Sequence, residues 1–555
     1  MKNYASHVSS KVTPQSEAIP GTNQRQNNAG GFSFVLDDWK RLDRFLILGS
    51  EGGTYYVGER DLTKQNAECV DRLLHLDGKR VVARIVEVSD KNIAPKNDPA
   101  IFALAVCLKK GDLETRRAAK AAVTKVCRIG THIFQLAENL KHLGGWGRVT
   151  TSSIAGWYEG QTADRLASNL VKYRNRANWT HTDLLRKVHP HTQDEKLQAL
   201  FRWVTKGGDR GERTVERKKK VGTQYETLKT HQYRSLVGVE LPKLIEGFER
   251  VQKATDPREV VKLIRDYELP REALPTQFLD DVKVWEALLM SGKGMPFTAM
   301  IRNLGKMTAI DLIKPLSAVE KYVVEKLKDT EGLKKARVHP FAILMAQAVY
   351  SQGAGFRGGL SWKPSQRVSD ALNDAFYEAF ANVVPSGKRH YLGLDVSGSM
   401  GSPIMNSALS CRDGSAAMAL ITMRTEPWHY VAGFTTGLVQ LDISPKMRLD
   451  QVVKKISNLS FGGTDCAAPM LDALKRKLEV DTFVVYTDNE TWAGSMHPSQ
   501  ALQKYRQETG IPAKLIVVGM SATEFSIADP NDAGMMDVVG FDASAPAVMA
   551  DFARS

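Results

Sequence analysis

At Pro385-Ser386-Gly387 the apolar residues of this 555-residue chain change their period, and that switch divides the molecule into two kinds of fold. From about residue 60 to 380 they recur at helical spacing in segment after segment, and strand-like alternation is scarce. Leu241, Leu244, Ile245, Phe248 and Val251 form one such stripe. The next opens Asp256-Pro257-Arg258-Glu259, with a carboxylate at the cap and proline at the first helical position, where its missing N–H is no loss. Successive helices with short loops suggest an irregular stacked solenoid. Beyond the switch, Tyr391-Leu392-Gly393-Leu394, Phe483-Val484-Val485-Tyr486 and Leu515-Ile516-Val517-Val518 are short apolar runs of the kind buried on both faces, separated by helical segments. That alternation predicts an α/β fold with a parallel, doubly wound sheet. Residues 1–30, rich in Ser, Gln, Asn, Gly and Pro, read as a mobile tail. The expected organisation is a tail over 1–30, an all-α domain over 31–384 and an α/β domain over 385–555.

Charge is divided along the same line. Residues 385–555 carry 15 Lys and Arg against 18 Asp and Glu, so the net charge of +14 comes from the first 384 residues, which sum to +17. A basic excess confined to one domain is the footprint of a polyanion binder, although a solvated basic surface would look the same. Cys69, Cys107, Cys127, Cys411 and Cys466 form no CxxC pair and have no matching histidine spacing, which argues against a disulfide framework and a structural zinc site. No apolar run reaches the roughly 18 residues of a membrane span, and Met1-Lys2-Asn3-Tyr4 opens no secretory signal. A cytoplasmic monomer away from membranes is expected.

Asp395-Val396-Ser397-Gly398-Ser399 follows the first predicted strand, at the carboxyl end where open α/β sheets place their ligands. Gly462-Gly463-Thr464-Asp465 precedes a helix, and Thr487-Asp488 closes the strand beginning at Phe483. Asp395, Ser397, Ser399, Thr464 and Asp488 together offer two carboxylates and three hydroxyls, an all-oxygen set suited to a hard divalent cation, Mg²⁺ first and Mn²⁺ second. Helix capping by Ser399 and Thr464 is the plainer alternative. The pattern resembles the metal-ion-dependent adhesion site (MIDAS) of von Willebrand factor type A domains. The resemblance implies direct coordination by Ser397, Ser399 and Thr464, with Asp395 and Asp488 acting partly through water.

In the basic part, Lys172, Arg174, Arg176, Arg186 and Lys187 fall close together, interleaved with Tyr173, Trp179, His181 and His189. Basic side chains contact phosphates and aromatic rings stack on unpaired bases, so the cluster is a candidate RNA surface; Trp179 anchoring a helix is the alternative. Arg217-Lys218-Lys219-Lys220 has no aromatic partner and reads as a solvated charge run.

The runs from Phe45 to Tyr56 and from Met295 to Met307, and Gly462-Gly463-Thr464-Asp465 with Thr487-Asp488-Asn489-Glu490-Thr491, resemble the Ro ribonucleoprotein autoantigen family over nearly the whole chain after residue 30. The resemblance implies a TROVE module, a ring of HEAT-like helical repeats, closed by a type A (VWFA) domain. It further implies binding of small noncoding Y RNA on the outer surface and of single-stranded ends of misfolded noncoding RNA through a central hole. Carried over by position, the Y-RNA surface would include Lys172, Tyr173, Arg174, Arg186 and His189. Pro190-His191 stands where the vertebrate pattern has Leu-Lys. Arg128 and His132 match a family segment implied for the hole. The expected function is thus an RNA-binding scaffold in noncoding RNA quality control, without catalytic residues, with an exoribonuclease or another protein as a partner at the metal site.

Two rivals remain in view. An adhesion or ligand-binding module with the helices as platform has no need of +17 on the helical part. An ATPase-coupled subunit needs a G-x-x-x-x-G-K-[ST] loop, and none of the Gly-Lys pairs at 78, 292, 305 and 387 is followed by Ser or Thr.

Overall fold

The structure is a computed structural model. It describes all residues except 1–11, 49–67, 95, 208–211, 222–223, 234, 293, 337, 356–358, 381–383, 405–408, 458–461, 521–523 and 540–544, with backbone alone for 48, 213–221 and 224–233. The Phe45–Tyr56 run therefore lies outside the described residues from Gly49 onward. Packing divides the chain into two units, one of residues 1–77, 87–103 and 296–555, the other of 78–86 and 104–295.

The unit of residues 104–295 is built mainly of helices. Leu113–Val126, Gly130–His142, Arg148–Glu159, Ala163–Lys172, His181–Val188, Glu195–Lys206, Lys243–Val251, Pro257–Tyr267 and Val282–Met290 follow one another, each burying an apolar stripe. Capping chemistry starts several of them. Asp256 accepts from the Arg258 N–H at 2.7 Å with Pro257 at the first helical position, as the sequence predicts, and Thr180 and Asp183 form a reciprocal capping box.

This region is not purely helical. Labelling strands in chain order, β1 (Gln24–Gln26) and β2 (Phe32–Val35) lie in the other unit. The helical unit holds the short hairpin of β3 (Asn175–Arg176) and β4 (Trp179–Thr180), turned by Ala177 and Asn178 at positive φ. It also holds the longer hairpin of β5 (Arg213–Val221) and β6 (Gln224–Tyr233). The basic run Arg217–Lys220 thus sits in a strand, bulged between Arg217 and Lys218. Thr and Tyr at strand spacing in 213–233 supply a β preference that the charge run hides.

In the first unit a six-stranded sheet has the order β13-β11-β10-β7-β8-β9, with β7 His390–Asp395, β8 His429–Phe434, β9 Leu438–Gln440, β10 Thr482–Thr487, β11 Lys514–Gly519 and β13 Met535–Val539. The three apolar runs form β7, β10 and β11, buried throughout. The sheet is mixed, not wholly parallel. β9 runs antiparallel to β8 because Thr435-Thr436-Gly437 leaves room only for a hairpin, whereas a parallel return needs a crossover. β7 lies between β8 and β10, so the strand order reverses beside it and opens a crevice at the carboxyl ends of β7 and β10.

The expected mobile tail fails for residues 12–30. β1 pairs with β2, and β2 pairs with β12 (Phe525–Ser526), making a second, three-stranded sheet within the same unit as the α/β domain. The polar composition that suggests disorder instead supplies buried hydrogen bonds. Gln15 is 0% exposed, and its amide donates to Asp465 Oδ1 at 2.7 Å and to the Met496 carbonyl at 2.8 Å. Residues 1–11 lie outside the described residues.

Candidate functional site

The strand ends at the crevice bring Asp395, Ser397, Ser399 and Asp488 close together, with Thr464 on a neighbouring loop. Asp395 ends β7 and is 0% exposed; one oxygen accepts from the Ser397 N–H at 2.9 Å and the other from the Thr487 hydroxyl at 2.7 Å. The Ser397 and Ser399 hydroxyls are 3.1 Å apart, and Arg412 donates to the Ser397 carbonyl at 3.1 Å, fixing the turn. Thr464 is buried on the neighbouring loop, whose position is set by its carbonyl, which accepts from the Trp492 and Ala493 N–H groups at 3.0 Å each. Asp488, also 0% exposed, follows β10 and accepts from the Glu490 N–H at 3.1 Å.

Burial, then the facing Asp488 charge, push the Asp395 carboxyl up to about 7 against the lowering effect of its hydrogen bonds from Ser397 and Thr487. Two buried carboxylates with hydroxyls beside them are a set that a hard cation completes, so the residues fit a divalent ion. Among the described residues no cluster of three or more His, Cys, Asp or Glu is grouped to hold a metal by another chemistry. Three contributors lie outside the five candidate ligands. Thr487 holds Asp395, Arg412 holds the serine turn, and Gln15 ties Asp465, next to Thr464, to Met496 and Thr491 beyond Asp488. The Gln15 contact spans 450 residues of sequence and leaves no local signal.

The basic candidates surround the β3–β4 hairpin. Lys172 ends its helix and, like Tyr173, is half-buried, while Arg174, Arg176, Arg186, Lys187 and His189 are exposed. Arg174 donates to the Glu272 carbonyl at 2.6 Å with its guanidinium 4.9 Å from the Phe248 ring centre, and Arg186 donates to the Thr205 carbonyl at 2.9 Å. His189 terminates helix His181–Val188 in the left-handed region at φ 45°. Arg128 and His132 are half-buried, the Arg128 N–H donating to His132 Nδ1 at 3.3 Å. They lie beside the same cluster. A Cβ on Gly130 would stand 2.8 Å from the Tyr173 Cβ and 3.0 Å from His181 Nε2, so only glycine lets this segment approach.

His181 is the exception. It is 3% exposed, shares a hydrogen bond with the Tyr158 hydroxyl at 2.8 Å and lies against Phe134 and Trp157. Burial pushes its pKa down to about 4, leaving a neutral core histidine that cannot meet a phosphate. Its place among basic residues is a coincidence of the linear order, since the first position of its helix faces inward.

A helical module joined to a type A sheet with this crevice defines a two-part class. A TROVE domain model matches residues 25–350 and a Ro60 vWA domain model residues 389–553. RNA-binding protein RO60 of Deinococcus radiodurans is 40% identical over 560 residues, covering 100% of this chain and 99% of that protein. RNA-binding protein RO60 of Caenorhabditis elegans is 36% identical over 592 residues, covering 95% and 90%. The crystal structure of the Deinococcus radiodurans RO (RSR) protein aligns at a TM-score of 0.68 and 40% identity over 93% of this chain and 99% of that one. The chain belongs to the RO60 family.

Proposed function

We propose that this protein is an RNA-binding scaffold without catalytic chemistry of its own. The observation that carries the reading is the grouping of Lys172, Arg174, Arg176, Arg186, Lys187 and His189 around one hairpin and the helix after it, on the part of the chain that holds the whole basic excess. Such side chains neutralise phosphates and release counterions, which supplies affinity without sequence preference. The RO60 relatives are named as RNA-binding proteins, which supports the same reading.

In its finer form the proposal takes small noncoding Y RNA at this surface and single-stranded ends of misfolded noncoding RNA in a central hole, serving RNA quality control in the cytoplasm. Among the described residues no helix is long and apolar enough to cross a membrane. At the crevice, Ser397, Ser399 and Thr464 would hold Mg²⁺ or Mn²⁺ beside Asp395 and Asp488. When bound, the ion supplies an electrophilic position for a carboxylate or phosphate of a partner, an exoribonuclease being one candidate. The buried Asp395 carboxylate holds the serine turn in place, and the half-buried Ser399 leaves the crevice an opening.

Crosslinking the full chain to RNA in its host and sequencing the bound RNA tests the function. Small structured noncoding RNAs should dominate; recovery in proportion to total cellular RNA would defeat the proposal. In parallel, affinity for a structured RNA should fall by about 0.7–0.9 log unit per phosphate contact for each tenfold rise in salt.

A further inference from the structure

The turn between helices Gly130–His142 and Arg148–Glu159 reads Gly144-Gly145-Trp146-Gly147. Gly144 and Gly145 lie at φ 113° and 76°, backbone that side chains with a Cβ rarely adopt. Lys109 pins the turn, its ammonium donating to the Gly145 carbonyl at 2.8 Å. The half-buried Trp146 ring is thereby held 5.3 Å, centre to centre, from Trp179 on β4. Trp179 is fixed in turn by its indole N–H, which donates to Glu138 Oε2 at 2.6 Å.

Two ammonium groups stand beside this pair. Lys187 Nζ stands 4.9 Å from the Trp146 ring centre and Lys141 Nζ 6.0 Å from that of Trp179, while His142 and Arg148 are exposed at the ends of the flanking helices. Of the nearby carboxylates, Glu138 is engaged by Trp179, Lys141 and His142, and Asp183 is engaged in the capping box. Two half-buried indoles, each with a lysine ammonium over its ring, match a ligand that is flat and aromatic at one end and anionic at the other. A nucleotide has that chemistry.

We propose that Trp146 and Trp179 form a stacking platform for an unpaired nucleobase, with Lys187 and Lys141 moving from the ring faces to the flanking phosphates. The proposal rests on the RNA-binding reading and adds to it a contact with bases. Each lysine keeps a partner in both states, π-face before binding and phosphate after it. Every base has a π-face, so the platform distinguishes unpaired from paired nucleotides and not one sequence from another.

The test titrates the full chain with a short single-stranded oligoadenylate and with a blunt RNA duplex of equal length, following tryptophan fluorescence and direct binding. The single strand should quench wild-type fluorescence. Trp146→Leu, which keeps apolar bulk but removes the π-face, should bind the single strand about five- to a hundredfold more weakly with an unchanged salt slope, and Trp146→Phe should restore most of the affinity. Duplex binding should be the same in all three. Full single-strand affinity in Trp146→Leu, or equal losses for strand and duplex, would overturn the platform while RNA binding stood; failure of the wild type to bind either RNA would remove both. Should Trp146→Leu lose its helical circular dichroism, Trp146→Phe still decides, because a quench as large as in the wild type would show that Trp146 meets no base.

Discussion

In the crevice, Asp395, Ser397 and Ser399 sit on one strand end and its turn, their positions dictated by backbone hydrogen bonds and by Thr487 one strand away. On the helical unit, Lys172, Arg174, Arg176, Arg186 and Lys187 hang from two helices and a hairpin, and their heads diverge. Arg174 lies on Phe248, Arg186 on the Thr205 carbonyl and Lys187 on Trp146. The first region positions small groups rigidly before any ligand arrives. The second presents long stems whose final positions depend on neighbours up to 98 residues away in sequence. Rigid oxygen sets suit an ion with strict geometry, and adaptable cations suit a polyanion of variable outline.

The comparison breaks most sharply at the serines. Ser397→Ala combined with Ser399→Ala should weaken divalent-ion binding by about a hundredfold or more, measured by calorimetry or Mn²⁺ resonance, and leave RNA affinity nearly unchanged. Loss of RNA binding in a folded variant would mean that the ion contacts phosphate directly.

Acid should strike the helical unit through His181. Its pKa in the folded chain, about 4, lies below the ordinary 6.5, so the unfolded state binds the proton first. The stability tied to its neutral form is complete above about 6.5 and declines as pH falls toward about 4, by about 3 kcal/mol. Urea unfolding of the wild type and of His181→Leu should show the slope in the first and its loss in the second. Equal slopes would place the acid sensitivity elsewhere.

A smaller effect is expected from Lys172→Ala, Arg186→Ala and His189→Ala together. Affinity for a folded small RNA should drop roughly tenfold to a hundredfold, with the log–log salt slope shallower by about one for each phosphate that no longer meets a cation. Ion binding and helical circular dichroism should stay as they were. Full retained affinity would move the RNA surface to other residues.

Smallest is Gln15→Ala, which leaves buried hydrogen-bond partners of the crevice loops unmatched and should lower stability by about 1–2 kcal/mol in urea unfolding. An unchanged midpoint would show that residues 12–36 do not support the crevice.

The two regions are also unequally legible in the sequence. Asp395-x-Ser-x-Ser can be read because strand, turn and candidate ligands are contiguous, and because an apolar run before a carboxylate marks the strand end that faces the crevice. β9 leaves no trace because a three-residue strand after a hairpin loop has too few residues to show a period. His181 misleads because linear proximity to cations says nothing about the face of a helix on which a residue lies; the apolar Leu184, Leu185 and Val188 that share its inward face are the available signal. Trp146 does not stand out because it lies 26 residues from the start of the basic run at Lys172, and only packing brings it to Trp179. Polar composition misleads at residues 12–30, where buried amides replace the apolar burial that usually orders a chain.

The pairing of β2 with β12 also orders events in time. Val35 finds its partner in Phe525, about 490 residues later in the chain. Because a ribosome releases the amino-terminal part first, β2 spends nearly the whole of synthesis waiting for a strand that does not yet exist, its edge open to wrong partners. Closing so long a loop adds an entropic cost that grows only slowly with length, yet it places the closure among the last steps, after the helices between have formed from local contacts. Completion of the three-stranded sheet is then a late checkpoint on assembly, and a chaperone that shelters the first 36 residues would be expected to raise the yield of folded protein without altering its final stability.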